Sequence, residues 1–350
     1  MKLTKTVSVG QVKIGGGENI KIQSMTTTKT ADIESTLSQI SALENAGCEI
    51  VRLAVADERD ALAFKELKKS TKIPLVADIH FSPKLAVLAI ENGADKARIN
   101  PGNIGGEKEI RVVADCIKAH KIPVRVGSNT GSIEPNFLKK YGRSAEALVE
   151  SALYNVGVLE KFGVNDIVIS VKASSVPLTV QAYRLLSQKT DYPLHVGVTE
   201  SGTLATGIVK SAIGIGSLLL DGIGDTIRVS LTDDPVEEIY VAKRILRAVE
   251  LDTEFVEVVS CPTCGRCSWD SMGLANEVSE FVKNYRKKAK VAVMGCVVNG
   301  PGEAKDADLG IAGGNGSCLI FKKGEPYKKV AEGDAKETFF AELKGLLQDE

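Results

Sequence analysis

The chain has 350 residues, 43% of them hydrophobic and 25% charged, and a formal net charge of −1. That length suits one large domain plus a small one, and the balanced charge gives no global case for nucleic acid or a membrane surface as partner. No apolar run is long enough to span a bilayer, the first residues carry no signal-like core, and seven cysteines in such a chain read as reduced or metal-bound in a cytoplasmic protein.

Short β-rich runs alternate with helical patterns from the start. Expected strands are Ile20–Thr26, Glu49–Val55, Pro74–His80, Lys96–Asn100, Pro123–Asn129, Asp166–Lys172, Pro193–Glu200 and Asp225–Thr232. Between them lie amphipathic helices over Asp32–Ala46, Glu58–Lys69, Pro83–Glu91, Lys108–His120, Ala145–Lys161, Val180–Ser187, Ser211–Leu220 and Val236–Val249. Eight strand–helix alternations point to an α/β fold of the closed (β/α)8 TIM type. No GxGxxG follows the first strand, which argues against a dinucleotide-binding sheet. The barrel is expected to fill residues 1–252.

After Leu251 the rhythm changes. Phe255–Val259 and Lys290–Met294 read as strands with a helix over Ala275–Lys287 between them. Asp308–Ala312 and Cys318–Phe321 suit further strands, and Lys336–Leu347 a closing helix. Residues 253–350 therefore read as a smaller α+β domain.

In a barrel of this type chemistry sits at the C-terminal strand ends, and here those ends are polar. Arg52 lies in strand two, Asp78 and His80 end strand three, and Arg98 and Asn100 lie two apart in strand four. Arg125 and Asn129 share a face in strand five, Lys172 ends strand six, Glu200 strand seven, and Arg228 and Ser230 lie two apart in strand eight. Residues i and i+2 of a strand face the same way; Ile99, Val126 and Val229 supply the apolar, helix-facing side. Arginines gathered at one mouth repel one another unless an anion sits between them, and their forks match phosphate oxygens two at a time. Lys210, placed just before a helix, adds a point charge beside a helix N-terminus. The inferred ligand is a small, multiply charged anion such as a diphosphate. The blander reading pairs each arginine with a nearby carboxylate. Glu200, His80 and Asp78 are candidates for proton transfer. His120 and His195 read as structural, and Cys48 and Cys116 as inert buried thiols.

The second focus runs from Cys261 to Glu303. Cys261 and Cys264 form a CxxC, and Cys296 follows the buried strand Lys290–Met294. Such thiolates suit zinc or an iron–sulfur centre. A zinc knuckle wants four Cys or His ligands; this stretch has no second CxxC apart from the overlapping Cys264-Gly265-Arg266-Cys267 and no His, leaving Cys267 or Cys318 as a fourth. An iron–sulfur cluster tolerates one weaker ligand, a role that suits Glu303. A carrier or redox sensor is the non-enzymatic alternative, to which the arginine-rich mouth is foreign.

Ser260-Cys261-Pro262-Thr263-Cys264-Gly265-Arg266 and the run Met294 to Ala304 resemble the signatures of the bacterial 4-hydroxy-3-methylbut-2-enyl diphosphate synthases. So do Gln23-Ser24-Met25-Thr26, Ala77-Asp78-Ile79-His80-Phe81, Arg98 to Gly105 and Val229 to Pro235, so the likeness spans almost the whole chain. The resemblance implies reductive ring opening and dehydration of 2-C-methyl-D-erythritol 2,4-cyclodiphosphate in isoprenoid precursor synthesis. It implies a 4Fe-4S cluster held by Cys261, Cys264, Cys296 and Glu303, and electrons from reduced flavodoxin or ferredoxin. It also implies a homodimer in which the cluster module of one chain closes over the barrel mouth of the other. Within this likeness Arg52, Arg98, Asn100, Arg125, Asn129, Lys210, Arg228 and Ser230 are expected to bind the diphosphate, and Glu200 to supply the proton. Cys267 departs from the family pattern.

Overall fold

A computed structural model describes residues 2–283, 285–298 and 300–348. Asn299, inside the second cysteine motif, lies outside them. The chain divides into two compact units, Met1–Leu251 and Asp252–Glu350.

The first unit opens with a hairpin, β1 (Val7–Val9) and β2 (Val12–Ile14), turning at Gly10. Eight strands follow: β3 (Lys21–Met25), β4 (Ile50–Ala54), β5 (Leu75–Asp78), β6 (Lys96–Ile99), β7 (Val124–Asn129), β8 (Ile167–Lys172), β9 (His195–Val196) and β10 (Thr226–Ile227). They pair in parallel in the order β8-β7-β6-β5-β4-β3-β10-β9. A parallel bridge between Ile169 and Leu194 closes the ring between β8 and β9. The eight-strand barrel expected from the sequence is therefore present, with shorter strands. The last two shrink to two ladder residues each, and the polar runs after Val196 and Ile227 become loops at the barrel mouth.

Each strand feeds a helix that covers the ring. Many of these helices are capped by a side chain on the first-turn amides, among them Asp57, Ser82, Ser144, Ser175 and Asp234, as the orphan donors of a helix start require. The core lies between helices and barrel wall and contains Ile99, Val126 and Val229, the residues expected on the helix-facing side. A separate apolar cluster of Val9, Ile14, Ile50 and Val76 packs the hairpin onto inward residues where β4 and β5 begin. This hairpin stoppers the N-terminal end of the barrel.

The second unit is a five-stranded sheet in the order β11-β12-β13-β14-β15. Its strands are β11 (Val256–Ser260), β12 (Ala289–Met294), β13 (Leu309–Gly313), β14 (Ser317–Lys322) and β15 (Glu325–Ala331). The first three run parallel and the last two antiparallel. The helices Ser271–Val282 and Glu332–Gln348 bury Leu274, Val278, Phe339 and Leu343 in the sheet's core. Among the described residues no helix is long and apolar enough to cross a membrane.

Candidate active site

The barrel strands bring their polar residues to one cavity of about 250 Å3 at the C-terminal strand ends. Arg52, Asp78, His80, Arg98, Arg125, Asn129, Arg228 and Ser230 line it, together with Met25, Ser128, Ser170, Lys172 and Thr199. The register explains the convergence: Asp78, Arg98 and Arg125 are direct neighbours across β5, β6 and β7, and Asn129 stands opposite Lys172. Two glycines make room. A side chain at Gly127 would meet Ser170 and the Arg98 guanidinium, and one at Gly197 would meet the Arg228 carbonyl and the Lys172 ammonium.

Charge in the cavity is unbalanced. Asp78 lies 3.4 Å from Arg98 and 3.8 Å from Arg52. Burial raises its carboxyl, but Arg52, His80, Arg98 and Arg125 outweigh burial and hold it well below the usual carboxylate range. Glu238, 3% exposed, accepts from Arg228 at 3.0 Å and from the Ser24 hydroxyl at 2.7 Å. The structural pairing of arginine with carboxylate thus holds for Arg228, and Arg52 and Arg98 share one carboxylate. It fails for Arg125, whose Nε and Nη1 are buried with no hydrogen-bond partner. Burial, then Arg52 and Arg98, push the Arg125 guanidinium well below its ordinary value.

Lys172 is pushed down in the same way, by burial and then Arg125, Arg228 and Arg52. Beneath them Lys96 is fully buried, with Gln23 Oε1 at 3.5 Å, and burial followed by Arg125 and Arg52 drives its ammonium well below the ordinary range. Buried cations outnumbering buried carboxylates make an empty site costly and an anion a natural occupant.

Two expected binding residues, Asn100 and Lys210, and the expected proton donor, Glu200, lie elsewhere. Asn100 is buried outside the cavity lining, and its Oδ1 accepts from Gly102 N, capping the short helix Pro101–Ile104. The helix after β9 begins at Leu204, not near Ser211, so Lys210 sits in its second turn and does not line the cavity. Glu200 is an exposed, left-handed residue (φ 53°) in the loop after β9, outside the lining. Lys172 was legible in the sequence as the end of strand six, but its role there was not recognised. Lys96 opens its strand two residues before Arg98, and nothing in the spacing marks it as buried; His195, expected as structural, is fully buried against Thr226.

In the second unit Cys261 and Cys296 follow the adjacent parallel strands β11 and β12. Cys261 Sγ accepts from Gly295 N at 3.1 Å. Cys264 is exposed in a turn closed by Cys267 N to Cys264 O, and Glu303 is exposed in the short helix Gly300–Glu303. All seven thiols are free. Among the described residues no three Cys, His, Asp or Glu side chains have closed into a coordination shell. The donor set fits a sulfur-ligated cluster in its chemistry: free thiols at neighbouring strand ends, a nearby carboxylate and no imidazole. Cys318 is 1% exposed on β14, and burial pushes its thiol up to about 11, which marks a core residue rather than a ligand.

A barrel whose mouth gathers cations suited to a compact anion, joined to a unit with free thiols at its strand ends, is the architecture of a barrel enzyme for an anionic substrate with a thiol-bearing second domain. The chain belongs to the GcpE family: the GcpE TIM-barrel domain matches residues 4–243, and the GcpE protein C-terminal domain matches residues 257–345. Curated relatives named 4-hydroxy-3-methylbut-2-en-1-yl diphosphate synthase (flavodoxin) extend along its whole length. The protein of Caldanaerobacter subterraneus subsp. tengcongensis is 57% identical over all of this chain and 99% of its own. That of Fusobacterium nucleatum is 54% identical over 99% of this chain and 97% of its own. Among solved structures, Yersinia pestis dihydropteroate synthase aligns with 70% of this chain and 98% of its own, at a TM-score of 0.52 and 12% identity. The type I 3-dehydroquinate dehydratase of Clostridium difficile covers 71% of this chain and 98% of its own, at a TM-score of 0.52 and 14% identity. These two likenesses speak to the barrel fold alone.

Proposed function

We propose that the chain converts 2-C-methyl-D-erythritol 2,4-cyclodiphosphate to 4-hydroxy-3-methylbut-2-enyl diphosphate, as the names of its relatives indicate. The reaction consumes two electrons and two protons, opens the ring at a carbon–oxygen bond to phosphate and releases one water. The observation that carries this reading is the set Arg52, Arg98, Arg125, Lys172 and Arg228 around one cavity, with Asp78 and Glu238 as the carboxylates recorded against them. Such a set suits a diphosphate that stays bound from ring to open chain.

The arginines hold phosphate oxygens by charge-assisted, forked hydrogen bonds. Asn129, Ser230 and Lys172 orient the remaining polar atoms. Asn100 and Lys210 act from outside the lining, by shaping the loop after β6 and by long-range charge. Asp78 remains ionised and orders Arg52, Arg98 and His80, so it is a poor proton donor. His80, on the cavity lining, and Glu200, on the loop after β9, are left for that task.

Cys261, Cys264, Cys296 and Glu303 would hold a 4Fe-4S cluster. When bound, that cluster supplies single electrons and a Lewis-acidic iron. Reduced flavodoxin is the proposed donor, from the relatives' printed name, with ferredoxin as substitute. Free thiols on this scale suit the reducing cytoplasm, and the chain is proposed to work as a homodimer.

The test is anaerobic purification, followed by iron and sulfide analysis and turnover of the cyclic diphosphate with reduced flavodoxin. About four irons and four sulfides per chain, with turnover, are expected. Colourless protein holding one zinc and inert toward the substrate would overturn the proposal.

A further inference from the structure

Cys267 has no part in the proposed ligand set, yet it is not a bystander in space. A Cβ built at Gly295 would stand 3.1 Å from Cys267 Sγ and 3.4 Å from Cys261 Sγ, so both sulfurs crowd the same empty point beside one glycine. Their hydrogen bonding is polarised. Cys261 Sγ accepts from Gly295 N, while Cys267 Sγ donates to Trp269 O at 3.2 Å and lies 3.3 Å from Ser271 Oγ, where either group can be the donor.

The Cys267 loop is pinned at that spot. Trp269, the one tryptophan, donates its indole N–H to Met294 O at 3.3 Å. The indole also fills the space that a side chain at Gly313 would need. Cys264, by contrast, is exposed. Neither Cys261 nor Cys267 is fully buried, so a small oxidant reaches both.

We infer that in the cluster-free chain Cys261 and Cys267 form a reversible disulfide under peroxide, with Cys261 as attacking sulfur and Cys267 as resolving sulfur. Cys261 attacks hydrogen peroxide. The O–O bond breaks, one oxygen stays on sulfur as a sulfenic acid and the other leaves as water. Cys267 then displaces the sulfenic hydroxyl as a second water, and the S–S bond forms. Two thiols lose one electron each, and one peroxide becomes two waters. The bond keeps Cys261 off the irreversible sulfinic rung of the oxidation ladder until a reductant returns it. This protective meaning rests on Cys261 being a cluster ligand; the bond itself does not.

The experiment uses the full chain, stripped of iron by a chelator, reduced, and then treated with hydrogen peroxide. Trypsin cuts after Arg266 and so separates the two cysteines, leaving peptides Ala248–Arg266 and Cys267–Lys283. Without reductant these peptides are expected to travel as one linked species, and to come apart with reductant. The link should persist in Cys264→Ser and vanish in Cys261→Ser. A link that survives Cys261→Ser, or linked peptides absent from the oxidised wild type, overturns the pairing. Cys267→Ser should load iron like the wild type when never oxidised. After peroxide and reductant it should recover less iron than the wild type and carry sulfinic acid at Cys261. Equal recovery would remove the protective role. No iron is present in the mapping step, so its failure leaves the synthase reading untouched, whereas a chain that forms the bond but never takes iron sinks that reading alone.

Discussion

The two units hold their reactive groups in opposite ways. In the barrel, guanidiniums and ammoniums sit on strands, buried and fixed by register, before any ligand arrives. In the second unit, Cys264 and Glu303 lie exposed in a turn and a four-residue helix. A prebuilt site carries its cost in the folded state, as cations held together without enough counter-charge. A site on loops defers that cost to the group that assembles it. The first should bind quickly and destabilise the empty protein; the second should depend on its cofactor for local order.

The largest effect should come from Cys296→Ser. It is expected to abolish iron retention and turnover while leaving the barrel's thermal unfolding and pyrophosphate binding in place. Loss of barrel stability in that variant would erase the distinction drawn between the units.

Next is Arg125→Met. Removing a hydrogen-bonding cation should cost about 1.5–3 kcal/mol of substrate binding, roughly ten- to a hundredfold in KM. The same variant should melt higher than the parent without ligand, because an uncompensated buried charge is gone. A lower Tm would show that Arg125 is balanced in the empty chain.

Asn155→Ala tests how the strand-borne site is held. Asn155 accepts from Gly102 N at 2.8 Å and donates to Glu134 Oε1 at 2.6 Å, tying the loop after β6 to that after β7. Its loss removes the bond to Glu134 and leaves Gly102 N to Asn100 Oδ1 alone, at about 1 kcal/mol, and should raise KM while iron content stays constant.

His195 gives the pH dependence. Burial, then Lys172, Arg125, Lys96 and Arg52, push its imidazole well below the ordinary value, and its Nδ1 lies 2.7 Å from Thr226 Oγ1. The unfolded chain therefore takes a proton near pH 6.5 that the folded chain refuses. Unfolding binds protons, so stability should fall as pH drops below about 6.5, at roughly 1.4 kcal/mol per unit for this one group. His195→Gln should flatten that slope in chemical denaturation.

The smallest effect belongs to Cys318→Ala. A stability loss of about 1 kcal/mol with unchanged iron content is expected. Lost iron would move Cys318 from the core to the cluster.

The barrel was legible because its strands and helices repeat one period-switching pattern eight times, and the site because arginines at strand ends break that pattern. The hairpin was not legible, since three-residue strands have no period to read. β15 was missed because six of its seven residues are exposed, and a polar edge strand looks like a loop. β9 and β10 were read too long: their continuations carry polar groups that leave the ladder for the mouth. Lys210 was misplaced because Leu204–Gly207 begins a helix with no acidic residue in its first turn and no side-chain cap. In the second unit the motif itself was plain. The crowding at Gly295 depends on how two distant loops meet, which no local spacing reports.

The hairpin plug has a consequence for traffic. With Val9 and Ile14 seated on Ile50 and Val76, the barrel is a cup and not a tube. Whatever is delivered must depart by the same opening, and the next molecule waits for it. In the proposed reaction substrate and product share a diphosphate, so a tighter grip by the cup and faster clearance are opposed. Loosening one cation of the five should therefore speed release even as it weakens capture, and the strength of the cup becomes a ceiling on throughput.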